Sequence, residues 1–259
     1  MYGFGIGRGL LEIDPTSHMK RDDYGRKVER ERVLTDSEIK ALAKALPTAR
    51  MAKTAELAIW IQLATCCRVG ELLQARWADV DQKARTWRIP ADVAKNTHEH
   101  TIHLSDFALV RFKALFALTG TTLTADGKKV PCEWVMPARK GDSHVDLKSL
   151  TKQIGDRQRG DKEAMSNRSA HGKALILAGG KWTPHDLRRT GATMMVSLGV
   201  LPEVVERCLN HREQNRVKRI YQRHDYKAEM KAAWQLLGER LELLLAGGTN
   251  VVTLGYAAA

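Results

Sequence analysis

Two arginines, two histidines, a lysine and a tyrosine stand at helix ends and loop tips, and together they form a kit for phosphodiester chemistry. The clearest stretch is "TPHDLRRTGATMMVSLG", residues 183–199. Thr183 can cap a helix, Pro184 suits its first position, and Asp186 follows three residues after the cap. Leu187, Gly191, Met194, Met195 and Leu198 fall on one side, behind His185 and Arg188, which are surface neighbours. A helix N-terminus already favours an anion, so an imidazole and a guanidinium there suggest a phosphate site. Arg68 follows a buried helix, Lys95 stands at a hairpin tip, His211 follows a helix at 202–209, and Tyr221 lies ten residues beyond His211.

Breaking a P–O bond places charge on the non-bridging oxygens. Guanidiniums match those oxygens with parallel N–H bonds and keep their protons, so two of them can do what a metal ion does elsewhere. A phenol can act as nucleophile, with His185 to accept its proton. The departing 5′ oxygen needs a donor, which a lysine on a hairpin can supply. Plainer readings stand beside these. His185 and Arg188 alone would be a solvated helix start, and Arg68 with Glu71 an ordinary i, i+3 ion pair. Lys53 and Lys83 lie outside the tip that carries Lys95. Tyr226 competes with Tyr221, but it opens the last helix, where it can be core or cap. Tyr221 has the basic setting of Arg216, Lys218, Arg219 and Arg223. Neighbouring cations favour the charged form of a phenol. His98, His100 and His103 invite a metal reading. On a strand His98 and His100 share a face that His103 does not, and no further ligand is evident, so neither metal nor cofactor is expected.

The elements that must position these groups are mostly helices. "VLTDSEIKALAKAL" predicts a helix capped at Thr35, with Glu38 completing a capping box. "TAELAIWIQLATCC" predicts a buried helix, with Cys66 and Cys67 as small core residues at its end. "RVGELLQ" reads as a turn and short helix, and "ARWADVD", "RTWRIPA" and "HTIHLS" as three short strands, with "VAKNTHEH" as the tip between the last two. Residues 106–119 and 147–157 read as helices, "CEWVMP" as extended, and 158–180 as an insertion or flexible loop in which "KALILAGG" can form a short helix or strand. Helices follow at 184–198, 202–209, 213–222 and 226–245. In the last of these Met230, Trp234, Leu237, Leu241 and Leu244 form a narrow seam that fits either its own domain or a neighbouring protomer. The expected class is α+β, mostly α-helical, with helices packed around a small three-stranded antiparallel sheet.

The chain has 259 residues, 43% hydrophobic, and a formal net charge of +12, a balance that predicts affinity for a polyanion, nucleic acid first. No apolar run reaches transmembrane length and the opening residues do not read as a signal peptide, so a cytoplasmic, nucleoid-associated protein is expected, with no membrane partner.

"RVGELLQARWADVD", "HDLRRTGATMMVSLGV" and "LNHREQNRVKRIYQRHDY" resemble the motif boxes of the tyrosine recombinase (phage integrase) family, and the run into "EMKAAWQLL" is similar to the P4-like integrases of prophages and genomic islands. The resemblance covers about residues 33–245 and implies that family's catalytic domain, which cleaves DNA through a 3′-phosphotyrosine without metal or ATP. It implies that Arg68 and Arg188 clamp the scissile phosphate, His185 is the general base, Lys95 the general acid, His211 a phosphate donor and Tyr221 the nucleophile, with Glu71 orienting Arg68. Arg189, Arg212, Arg216, Lys218 and Arg219 are candidate DNA contacts. The implied partners are double-stranded attachment-site DNA, further copies of the chain as a tetramer on DNA, and accessory DNA-bending proteins. Two features depart from the pattern. Asn210 precedes His211 where the family usually has glycine, and asparagine also suits a left-handed helix end. Residues 1–32 are expected to be a remnant of a linker or core-binding domain, "GLLEIDP" resembling the join that follows that domain, and 246–259 a tail. The competing readings are a type IB topoisomerase-like enzyme, which would cleave without exchanging partners, and a non-catalytic DNA-binding module, which would form no covalent adduct.

Overall fold

The computed structural model describes residues 2–15, 17, 31–124, 126–160, 171–211 and 224–247. The chain divides into two compact units, Met1–Glu31 and Arg32–Ala259. The sequence predicts no regular structure over 1–32, yet a short helix, α1 (Tyr2–Gly7), forms there. Past its end Gly9 turns at φ 69°, and the Leu10 N–H reaches Gly5 O at 2.8 Å.

In the second unit α2 (Asp36–Ala45) starts as the sequence predicts. The Glu38 N–H donates to Thr35 Oγ1 at 3.3 Å, and the Thr35 N–H to the Glu38 carboxylate at 3.0 Å. Glu38 also takes Arg32 and the Gly179 N–H, and these bonds, Arg32 first, hold its carboxyl down at about 2. Helix α3 (Lys53–Thr65) is apolar almost all round, which suits a helix enclosed on every side. It packs against α5 (Asp106–Thr119), α7 (Pro184–Ser197) and α9 (Lys227–Leu245). Its contact with α7 is close because Gly191 has no side chain: a Cβ there would lie 2.5 Å from Cys66 Sγ and 2.6 Å from Leu63 O. The seam of α9 is answered within this unit. Trp234, Leu237, Leu241 and Leu244 are buried in its core, and Trp234 Nε1 donates to Thr65 O at 3.1 Å.

The three-stranded sheet is antiparallel in the order β1 (Val80–Asp81), β2 (Thr86–Ile89), β3 (His100–His103). Its register sets Trp87 opposite Ile102 and Ile89 opposite His100, and these four face the core. "ARWADVD" differs from expectation: Trp77–Asp79 is a 3₁₀ turn and only two residues pair as a strand. The Trp77 N–H is taken by Glu133 O at 2.9 Å and Ala75 O by the Val135 N–H at 2.9 Å, so the stretch aligns with "CEWVMP" instead. A second hairpin, β4 (Thr121–Leu123) with β5 (Lys129–Pro131), is an addition to the predicted elements.

Helices α4 (Val69–Leu73), α6 (Ser149–Asp156) and α8 (Pro202–Cys208) complete the described unit. Past α6, the described part of the expected flexible loop is pinned. Leu175, Leu177 and Trp182 are buried, and Gln158 exchanges two bonds with the Trp182 backbone at 2.8 and 2.9 Å. Arg157, at the end of α6, is buried and donates to Ala49 O at 2.6 Å and Arg50 O at 2.5 Å. The expected helix at 213–222 lies outside the described residues. Among the described residues no helix is long and apolar enough to cross a membrane.

Candidate active site

A helix leaves its last carbonyls without partners inside the helix, and the two helices that end near Arg188 leave theirs to side chains. Helix α3 stops where Cys66 turns left-handed at φ 55°. Arg188 Nη1 donates to Cys66 O at 2.5 Å, and Nη2 to Leu209 O, just past α8, at 2.5 Å. The guanidinium thus sits against the negative ends of two helices, which suits a cation. Arg188 is 5% exposed, and its pKa is pushed down by burial and by the neighbouring charge of Arg68.

Arg68 follows two residues after Cys66, at the start of α4. Glu71 grips it twice, accepting from the Arg68 N–H at 2.8 Å and from Nη1 at 2.9 Å. The carboxylate is buried and the guanidinium half-buried, so the outer part of Arg68 remains free to meet a ligand. Glu71 thus holds both the main chain and the guanidinium of Arg68.

His211 lies beyond the end of α8. Its Nε2 stands 3.3 Å from Arg188 Nη2, and its Nδ1 2.7 Å from the Glu206 carboxylate. A carboxylate at Nδ1 makes that nitrogen the N–H and leaves Nε2 turned toward Arg188. Glu206 was not visible as a partner in the sequence, although its place five residues before His211, across a helix end, is the available signal.

His185 occupies the first turn of α7, one turn before Arg188. Thr183 and Asp186 fix that turn: the Thr183 N–H donates to Asp186 Oδ2 at 2.8 Å. Partial burial, then the charges of Arg189 and Arg188, hold the His185 pKa below its ordinary 6.5. The imidazole is therefore neutral near pH 7 and fit to accept a proton. Arg189, a candidate DNA contact, is tied to Asp186 at 3.0 Å and stays partly exposed.

Lys95 is exposed on the tip between β2 and β3. The tip touches the His211 corner through its neighbour: Asn96 Nδ2 donates to Asn210 O at 2.7 Å. Asn210 adopts the left-handed conformation expected of it, φ 50°. Of the histidines on this hairpin, His100 is buried with Nε2 3.1 Å from Cys208 O, and burial pushes its pKa down. Tyr226 begins α9, partly buried, with Arg207 4.3 Å over its ring. Tyr221, Arg212, Arg216, Lys218 and Arg219 lie outside the described residues. The structure thus brings Arg68, Glu71, Arg188 and His211 to one corner, with His185 a helical turn away and the Lys95 tip attached to the same corner.

A family model described as the phage integrase family matches residues 32–228. The chain belongs to the phage integrase family. A curated relative, prophage integrase IntA of Escherichia coli K12, is 25% identical over 228 residues, covering 88% of this chain. The chain spans about half, 48%, of that relative's length. Among solved structures, the integrase of mycobacterium phage Brujita aligns at TM-score 0.55 and 17% identity, covering 94% of this chain and 72% of its own. XerA recombinase aligns at 0.53 and 19%, covering 89% and 70%. A lambda integrase dimer bound to a core site aligns at 0.54 and 16%, covering 82% and 68%. The fold of this integrase-family chain is that of a tyrosine recombinase catalytic domain.

Proposed function

We propose that this integrase-family chain carries out site-specific DNA recombination, integrating or excising a prophage or genomic island through a 3′-phosphotyrosine. The observation that carries this reading is the corner where Arg188 binds Cys66 O and Leu209 O beside His211, with Arg68 two residues from Cys66. Two guanidiniums and an imidazole from three separate stretches converge there, as a phosphodiester in its transition state requires.

In the proposed reaction the Tyr221 phenolic oxygen attacks phosphorus and its proton passes to His185. The P–O5′ bond breaks and the 5′ oxygen takes a proton from Lys95. Arg68, Arg188 and His211 hold the non-bridging oxygens. A 5′-OH of another strand then attacks the phosphotyrosine, its proton leaves by the reverse route, and Tyr221 is released. One phosphodiester is exchanged for another, so no external energy source enters. Arg189, Arg212, Arg216, Lys218 and Arg219 would track the DNA backbone. The partners are double-stranded attachment sites and further copies of the chain, a tetramer on two sites in the reading offered here, with DNA-bending accessory proteins at the nucleoid.

The test is a covalent trap: protein mixed with DNA from the flanks of its own gene, in EDTA and low salt, quenched with detergent. An EDTA-resistant DNA–protein adduct that disappears in Tyr221→Phe and persists in Tyr226→Phe is expected. Loss in Tyr226→Phe alone would move the nucleophile, and DNA binding without any adduct would favour a non-catalytic module.

A further inference from the structure

The tip that carries Lys95 is held to the His211 corner by polar bonds. Asn96 Nδ2 donates to Asn210 O at 2.7 Å. Asn210 Nδ2 returns a bond to Asn96 Oδ1 at 3.2 Å and a second to His98 O at 3.1 Å. The Asn96 amide thus gives a bond to the Asn210 main chain and takes one from the Asn210 side chain. Within the tip Asn96 Oδ1 also takes the His98 N–H, at 3.3 Å. Between the bonded residues Thr97 stands at φ 57°, a left-handed conformation that a β-branched residue avoids unless its surroundings impose it. Asn210 is itself left-handed at φ 50°, where glycine would meet no backbone strain. A glycine there would close the corner equally well and keep the carbonyl that takes Asn96, but it would lose both side-chain bonds to the tip.

We propose that Asn96 and Asn210 form an amide latch that fixes the Lys95 tip against the corner of Arg188 and His211, and that both act as positioning residues for protonation of the leaving 5′ oxygen. This rests on the function proposed above. The same corner then sets both ends of the reaction. Leu209 O binds the phosphate clamp Arg188, and the next residue, Asn210, binds the tip that supplies the proton. A latch of neutral amides keeps this geometry without placing a charge beside the lysine.

The experiment compares two duplexes, alike except that the cleaved phosphodiester carries oxygen or sulfur at its 5′ bridge, the cleavage position being that mapped by the covalent trap. A thiolate leaves without a proton, because thiols ionise near pH 8.5 whereas an alcohol does not. The readout is the single-turnover rate of adduct formation. Lys95→Ala should be slow on oxygen and close to wild type on sulfur. Asn210→Gly, which keeps the left-handed corner, and Asn96→Ala should each slow the oxygen duplex by about 10- to 100-fold, the scale of a misplaced catalytic group, and react on sulfur within about threefold of wild type. If both variants are slowed equally on the two duplexes, or react on oxygen as fast as wild type, the latch does not position the acid. If wild type forms no adduct on either duplex, or Lys95→Ala is not rescued by sulfur, the proposed reaction itself is wrong, and the latch has no acid to position.

Discussion

Arg188 is buried and bonds two backbone carbonyls, whereas Lys95 is exposed on a tip whose polar hold on the unit runs through Asn96 and Asn210. The proposed phosphate clamp is therefore rooted in the core: Arg188, which would bind the substrate, also closes the ends of α3 and α8. The proposed proton donor, Lys95, is an exposed side chain on a surface turn, although its neighbour Ala94 is buried in the core. Buried groups that serve two purposes are hard to change singly, while a latched tip can be altered without unfolding the unit. The clamp also has its shape before DNA arrives, which is what electrostatic stabilisation of a transition state demands.

The comparison is broken most directly by truncating both residues. Arg188→Ala leaves Cys66 O and Leu209 O without their partner, at about 1–3 kcal/mol for each buried group. It also removes a clamp donor, at about 10²- to 10³-fold in rate. Thermal melting should fall clearly and adduct formation should be nearly abolished. Lys95→Ala should melt within about 0.5 kcal/mol of wild type, as exposed substitutions do. Its cleavage should still drop by about 10²- to 10⁴-fold, the range of general-acid catalysis. Equal melting of the two variants would contradict the division.

A smaller effect probes the packing beneath the clamp. Gly191→Ala would bring its Cβ to 2.5 Å from Cys66 Sγ and 2.6 Å from the Leu63 carbonyl, and the carbonyl cannot swing aside. The crossing of α3 and α7 should open at a cost of about 1–3 kcal/mol, measured by denaturant titration. Because Cys66 O binds Arg188, adduct formation should slow as well. Full activity in a destabilised Gly191→Ala protein would separate the clamp from the core.

The smallest effect concerns pH. The His185 pKa lies below 6.5 through burial and the charges of Arg189 and Arg188, so its neutral, proton-accepting form persists below that pH. Cleavage should lose rate on the acid side only below the ordinary histidine value. Arg189→Ala removes one positive charge and frees Asp186, and both changes raise the His185 pKa. The acid limb of the pH–rate profile should therefore move upward in that variant; an unmoved limb would mean that another group sets it.

Much of the frame was legible because it rests on local rules. The caps at Thr35 and Thr183 bond as their spacing predicts, and Glu71 meets Arg68 within one turn. Leu187, Gly191, Met194 and Met195 are buried on the face of α7 that their period assigns, and α3 is buried as predicted. What stayed hidden depends on partners far away in sequence. The buried acceptors of Arg188 are main-chain carbonyls, which no residue type advertises. The pinning of 171–182 needs Gln158 and the backbone of Trp182. Trp77 turns instead of pairing with the sheet, and its N–H is taken by the distant Glu133 O. Asn210 was legible as a left-handed turn residue, but its amide work across 114 positions, to Asn96, was not.

The most direct measurement of the central claim is to isolate the covalent DNA–protein adduct, digest it with nuclease and trypsin, and locate the remaining nucleotide by mass spectrometry. Trypsin separates the two candidate tyrosines, cutting after Arg219, Arg223 and Lys227. A 3′-nucleotide is expected on the peptide Ile220–Arg223, attached to Tyr221. A nucleotide on His224–Lys227 instead, or on neither peptide, would contradict the claim.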